Sequence, residues 1–232
     1  MIRSRDNARV KHWAKLARDG RYRKFQRHAL IEGPHLLEAY QAAGFQPLEI
    51  IKSGDTVSEA VFRSIGDVES PQGVAAEIEI PAGKEDLKRD VVFLEGIQDA
   101  GNVGAIIRSA AAFGIGTVVL DPACADAWSP KVLRAGQGGH FLLNLLSAAR
   151  MKGELARFSG RVVCTVATGG AALSKADLSG RLGWVFGSEG RGLDAGTLEE
   201  ADASITIPLA PRSESLNVAA AAAICFYEKA RR

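Results

Sequence analysis

The chain has 232 residues, 47% apolar and 24% charged, which is long enough to bury a core without disulfide or metal staples and excludes disordered, collagen-like and coiled-coil classes. The formal net charge of +2 hides an asymmetry: residues 1–30 carry ten Lys or Arg against Asp6 and Asp19, so this segment is +8 and the remainder −6. A basic arm on an acidic body is the footprint of a polyanion binder, although a solvated amphipathic helix has the same composition.

The longest apolar run, residues 218–227, covers ten residues, about half of a membrane span, and the N-terminus has charge without an apolar h-region. A cytoplasmic location without a membrane anchor is expected. Cys124, Cys164 and Cys225 are spaced 40 and 61 residues apart, which suits neither a disulfide framework nor a zinc site, so free thiols and no metal are expected. His12, His28, His35 and His140 are scattered along the chain and receive no role.

In chain order, a basic helix precedes a strand at HALIEG, then a helix opened by Pro34 and closed by Gly44. A strand at LEIIKSG, a helix at TVSEAVFRSIG and a strand at AAEIEIP complete a small α/β domain. Residues 81–90 (PAGKEDLKRD) are polar, contain Pro and Gly and lack periodicity, which predicts domains at 1–82 and 90–232 with a linker at 83–89. VVFLEGI then opens a second domain as a continuous apolar run, with further strands at GTVVLD, RVVCTVA, RLGWVFG and SITIPL. Alternation of such runs with helix-length segments predicts a parallel sheet covered on both faces, with ligands beyond the carboxyl ends of its strands.

Three post-strand segments stand out. In DAGNVGAIIRSAAAFG (99–114), Val103, Ile106, Ile107 and Ala110 define a buried helix face; Asn102 is placed to cap the helix, and Arg108 leans back toward the same pocket. The bland alternative is a cap and a surface ion pair. GSEGRG (187–192) puts three glycines around Glu189, which fits either a backbone cradle for a cofactor or a plain strand-to-helix turn. IPLAPRSESLN (207–217) is an extended loop ending in a helix that Ser213 or Ser215 can cap, with Ser215 and Asn217 projecting from its first turn. None of the three carries a dinucleotide or P-loop fingerprint, which argues against a nucleotide-dependent oxidoreductase.

Taken together, N-x-G-x-x-x-R at 102–108, GSEGRG and IPLAPRSESLN resemble the three motifs of the SpoU (TrmH-like) RNA ribose 2′-O-methyltransferases of the SPOUT superfamily. SRDNARVK, IEGPHLLEA and PQGVAA are similar to that family's ribosomal-protein-like substrate-binding domain. The resemblance implies an α/β chain whose C-terminal SPOUT domain carries a parallel sheet and a deep trefoil knot, a homodimer, S-adenosylmethionine (SAM) as methyl donor and RNA as substrate. Ribosomal RNA is preferred; transfer RNA and a non-enzymatic ribosome-assembly role are the alternatives. It assigns catalysis to Arg108, Asn102, Glu189, Ser215 and Asn217, and cofactor contacts to Gly187, Ile207 and Leu216. RNA contacts are expected at Asn7, Lys11, Arg21, Arg23 and Arg134. Gly136 departs from the family pattern, which places a small hydroxylated residue two positions after the arginine.

Overall fold

The computed structural model describes residues 1–66, 71–84, 86 and 88–232. It begins with α1 (Ala8–Arg18), whose start is fixed by the Asn7 side chain accepting from the Arg9 amide. Asp19 separates α1 from α2 (Gly20–Gln26) because its carboxylate takes the amides of Arg21 and Tyr22 as a cap. Next come β1 (His28–Glu32), α3 (Pro34–Ala42), β2 (Glu49–Lys52), α4 (Glu59–Ile65) and β3 (Val74–Glu79). The three strands pair antiparallel in the order β1-β3-β2. Alternation sends Leu30 and Ala75 to one face, under α1 and α4 with Val10, Trp13 and Leu16, and sends Ala29, Ile31, Ala76 and Ile78 to the other, under Leu36 and Tyr40 of α3.

The second sheet comprises β4 (Val91–Glu95), β5 (Thr117–Leu120), β6 (Asn144–Ser147), β7 (Arg161–Thr165), β8 (Ala171–Ala172), β9 (Leu182–Gly187) and β10 (Ala203–Thr206). All its pairings are parallel, in the order β6-β5-β4-β9-β7-β10-β8. The short strands β6 and β8 were not anticipated from the sequence. Helices α5 (Ala100–Ala112) and α9 (Val218–Ala230) cover one face with Val92 and Leu94, while α7 (Met151–Arg157) covers the other with Val91 and Phe93. Burial on both faces explains why VVFL has no polar alternation. Helices α6 (Pro130–Gly136) and α8 (Ala195–Glu199) complete the unit.

The two sheets are tied together by a continuous core and by charge. Leu133 and Phe141 from the second unit lie in the same apolar cluster as Ile31, Leu36 and Tyr40. Arg23, only 4% exposed, donates to Asp126 Oδ2 from Nε (2.8 Å) and Nη2 (2.6 Å) and to the Leu16 carbonyl from Nη1. The expectation that Arg23 meets RNA is therefore corrected: its guanidinium is turned inward, with all three nitrogens bonded to Asp126 or the Leu16 carbonyl, because a buried charge is tolerated only when paired. Arg134 makes a second bridge across the boundary, to Glu32 at 3.3 Å, with part of its side chain still exposed. Within the expected linker, Gly83 and Lys84 lie against β6, where the Lys84 amide donates to Asn144; Glu85 and Leu87 fall outside the described residues.

Gly136 has a local explanation. A β-carbon there would stand 2.3 Å from Cε1 and 2.6 Å from Nδ1 of His140, so the imidazole occupies the space that a side chain would need. His140 is 2% exposed; Nε2 lies 2.9 Å from the Ala127 carbonyl and Nδ1 has no partner among the described residues, which makes Nε2 the protonated nitrogen. Burial pushes its pKa from 6.5 down to about 4, against the raising effect of the Ala127 bond. Between these values the unfolded chain takes up a proton that the folded chain refuses. Stability contributed by neutral His140 is thus present above pH 6.5 and lost as pH falls toward 4, by up to about 3 kcal/mol. Thermal denaturation of wild type and His140→Gln across this window is expected to show a shallower acid slope for the variant; parallel slopes would refute the assignment.

Candidate functional site

The site is assembled at the carboxyl ends of β4, β9, β7 and β10, where a parallel sheet opens to its ligands. The chain leaves β4 through Gly96, and Asp99 caps α5 by accepting from the Asn102 amide at 2.8 Å. This corrects the expected cap: Asn102 is the third helical residue, and its carboxamide is left free to point across the cleft. Asn102 Nδ2 donates to Glu189 Oε1 at 3.2 Å.

On the opposite wall, Asn217 is the cap of α9, its Oδ1 accepting from the amides of Ala219 (3.0 Å) and Ala220 (3.2 Å). The expectation of a serine cap is corrected accordingly: Ser213 and Ser215 precede the helix, and Asn217 sits at its boundary rather than in its first turn. Asn217 Nδ2 donates to Asn102 Oδ1 (2.8 Å) and to Glu189 Oε1 (2.9 Å), and the Val218 amide reaches the same oxygen at 3.2 Å. One carboxylate oxygen thus accepts three bonds and lies at the start of α9, where the helix dipole favours negative charge. The other oxygen of Glu189 has no protein partner among the described residues.

The 187–192 loop holds Glu189 in place by folding back on itself. A β-carbon on Gly187 would come within 2.3 Å of the Gly192 carbonyl oxygen, and Gly192 adopts φ +67°. The Gly192 amide closes on the Ser188 carbonyl at 2.9 Å. Beyond the loop, Glu95 accepts from the Asp194 amide (3.0 Å) and the Thr197 hydroxyl (2.7 Å). The sequence reading overlooked this anchor; its signal was a carboxylate ending an otherwise apolar strand.

Two cavities meet at Glu189. One, of about 230 Å³, is lined by Gly187, Ile207, Ser215 and Leu216 together with Phe186 and Leu209. The other, of about 350 Å³, is lined by Gly96, Gln98, Asp99, Asn102, Ala123 and Arg191. Ser188, Glu189 and Val218 border both. The first pairs an apolar interior with backbone groups of glycine-rich and extended loops, a donor set that fits an adenosyl group. Asn102, Glu189, Ser215 and Asn217 are therefore brought together. Arg108 is not: six residues beyond Asn102, it lies about 120° away around the axis of α5 and lines neither cavity. It is exposed, with no hydrogen bond or ion pair to the described residues.

Elsewhere, residues that the sequence scattered are gathered. Glu77 Oε1 lies 2.8 Å from His12 Nε2 and 2.7 Å from His28 Nδ1, Trp13 Nε1 donates to Oε2, and Tyr22 holds His12 Nδ1. The three ligand atoms fall within 4.8 Å of one another, close enough for an ion, yet the contacts already satisfy the carboxylate and clamp α1 to the first sheet. Burial pushes the Glu77 carboxyl up, but bonds from His12, His28 and Trp13 outweigh it, and the pKa lies below the ordinary value. Of the arm residues, Asn7 caps α1, Lys11 pairs with Asp6 at 2.9 Å, and Arg21 is exposed. Burial drives the thiols of Cys124, Cys164 and Cys225 to about 12, so none is a thiolate at neutral pH.

Comparison with known proteins agrees with this geometry. Residues 90–227 match the model of the SpoU rRNA Methylase family. The chain is 34% identical over 97% of its length, and 97% of the relative's, to the 23S rRNA (guanosine(2553)-2′-O)-methyltransferase RlmP of Bacillus subtilis. The structure of a SAM-bound rRNA methyltransferase from Sinorhizobium meliloti superposes with a TM-score of 0.89 at 26% identity, covering 99% of this chain and 97% of that one. AviRb of Streptomyces viridochromogenes, a SpoU methyltransferase solved with SAM, gives 0.86 at 25% identity and 97% coverage of both. The chain belongs to the SpoU rRNA methylase family.

Proposed function

We propose that this protein transfers a methyl group from SAM to a ribose 2′-hydroxyl of 23S-type ribosomal RNA. The observation that carries the reading is the Asn102–Glu189–Asn217 network at the junction of an apolar cavity and a polar one. The 34% identity to an enzyme named for 23S rRNA supports the choice of RNA. SAM, when bound, supplies a sulfonium methyl already activated for transfer. The protein's own task is to hold the ribose hydroxyl in line with that methyl and to ease loss of its proton.

Gly187, Ile207 and Leu216 would hold the cofactor in the apolar cavity, which Ser215 also lines. The free oxygen of Glu189 accepts the hydrogen bond of the ribose hydroxyl and takes its proton, directly or through water, while the two asparagines fix the carboxylate. Arg108 stabilises the developing alkoxide and the neighbouring phosphate through its planar fork of donors. Residues 1–82 select the RNA and residues 90–232 carry the chemistry, in the cytoplasm. The trefoil knot is proposed on family membership. Among the described residues no helix is long and apolar enough to cross a membrane.

The position of Arg108 makes one chain an incomplete site, and a homodimer completes it. Ala220, Ile224 and Tyr227 form an exposed stripe along α9, with the Phe113 ring 6.2 Å from that of Tyr227. A second copy seated on this stripe brings Arg108 of the partner subunit to the cleft. Arg108→Ala and Asn217→Ala dimers, each inactive alone, are expected to regain about a quarter of wild-type turnover when mixed and allowed to exchange subunits. Incorporation of labelled methyl into 23S rRNA, with mass-spectrometric mapping of the 2′-O-methyl nucleotide, reads the outcome. No recovery would assign the site to a single chain, and methylation confined to transfer RNA would move the substrate.

A further inference from the structure

Between the two sheets runs a cleft of about 1220 Å³, separate from the two cavities at Glu189. One wall is α2 with its flanks, contributing Arg21, Lys24 and Arg27; the other is formed by the carboxyl ends of β5 and β6 and the loop that follows β5, including Asp121, Pro122, Cys124 and Ala125. Arg21, Lys24 and Arg27 are exposed, and none has an ion-pair partner among the described residues. They contrast with Arg23 of the same helix, which is spent on Asp126. Phe25 does not itself line the cleft; it lies one turn of α2 from Arg21 and next to Lys24, which do, and so stands at the cleft's edge. Phe25 is 83% exposed, the most exposed large apolar side chain of the described residues, and none of the described ring pairs includes it.

We infer that this cleft carries an unpaired RNA strand leading to the target nucleotide, with Phe25 stacking on one of its bases. An aromatic ring left in water at the edge of a basic wall fits single-stranded nucleic acid: cations follow the phosphates and the ring takes a base of any identity. The loop after β5 lies between the cleft and the proposed active site, bordering the cleft through Asp121, Pro122 and Cys124 and the Glu189 cavity through Ala123, so a strand leaving the cleft has one loop to cross. A base-paired stem buries its faces in its own stack and offers nothing to Phe25. The inference rests on the RNA-methyltransferase reading and adds to it the state of the strand and the side chain that grips it.

The test compares full-length wild type, Phe25→Ala and Phe25→Trp for binding to a single-stranded oligouridylate and to an RNA duplex of the same length. Phe25→Ala is expected to weaken single-strand binding about 5- to 100-fold, with duplex binding, the salt slope and SAM affinity unchanged. Phe25→Trp is expected to retain binding and to show fluorescence quenched by the single strand. Lys24→Ala is expected to lower the salt slope by about 0.7 on the same single strand. Equal single-strand affinity of wild type and Phe25→Ala, or unquenched indole fluorescence from a binding-competent Phe25→Trp protein, would overturn the inference. A shift of Phe25→Ala from dimer to monomer in sedimentation would also overturn it, by making the ring a protein contact. Failure of the wild type to bind any RNA would instead strike the function proposed above.

Discussion

Arg108→Ala is expected to slow methyl transfer by about 10²- to 10³-fold while leaving SAM affinity within a factor of about two. The side chain lines neither cavity, so its loss opens no hole in the cofactor pocket and strands no partner. What disappears is a permanent positive charge with five donors, which is worth most when negative charge grows on the ribose oxygen. Arg108→Lys keeps the charge but loses the planar fork, so it should recover only part of the rate. Single-turnover rates as a function of pH, with SAM binding by calorimetry, separate these roles. A lysine variant with the wild-type rate and pH profile would remove any special part for the guanidinium.

The second large effect is expected in helix packing, two residues from Asn102 on the buried side of α5. Gly104→Ala should cost about 1–3 kcal/mol and lower the melting temperature by roughly 2–12 °C, although alanine is by itself the better helix former by about 1 kcal/mol. A β-carbon at this position would lie 2.4 Å from Ala135 Cβ, 2.6 Å from the Val132 carbonyl oxygen and 2.9 Å from the Gly136 amide nitrogen. Two of these neighbours are backbone and cannot swing aside, so α5 and α6 would have to separate. Gly104→Val adds two further carbons and is expected not to accumulate as folded protein. A raised melting temperature for the alanine variant would show that the crossing of α5 and α6 yields easily.

Much of this architecture was legible because the second sheet is buried on both faces. Val91, Val92, Phe93 and Leu94 are all 2% exposed or less, and a run of that kind has few other uses. The buried face of α5 was equally plain, since Val103, Ile106, Ile107 and Ala110 recur at the helical period and are all fully buried. Helix starts were less so. Asp99 and Asn102 are both good caps three residues apart, and the choice between them depends on Asn102 being needed across the cleft by Glu189 and Asn217. At the last helix the sequence offers Ser213 or Ser215 as the cap, yet Asn217 holds that position, beside the Glu189 carboxylate that accepts the Val218 amide.

Charge was the least readable quantity. In the basic arm Arg21 and Arg23 look alike, yet one faces solvent and the other is buried against Asp126, 103 residues away in sequence. No local pattern announces a partner at that separation. The gathering of His12, His28 and Glu77 was hidden for the same reason, because pairing of β1 with β3 and packing of α1 on the sheet, rather than spacing, bring them together. Strands β6 and β8 escaped notice because four and two residues are too short for periodicity to register.

The bridges Arg23–Asp126 and Arg134–Glu32, together with the apolar seam at Leu133 and Phe141, have a consequence for how a target is chosen. Two parts so joined resist a change in spacing, because parting them would strand the buried Arg23 charge, and the molecule resembles a caliper with stiff jaws. A transcript would then be accepted by whether its fold sets the reacting ribose at the right distance from the gripped strand, with the identity of that nucleotide secondary. New targets would be reached in evolution by resetting the seam, leaving the methylating cleft unaltered.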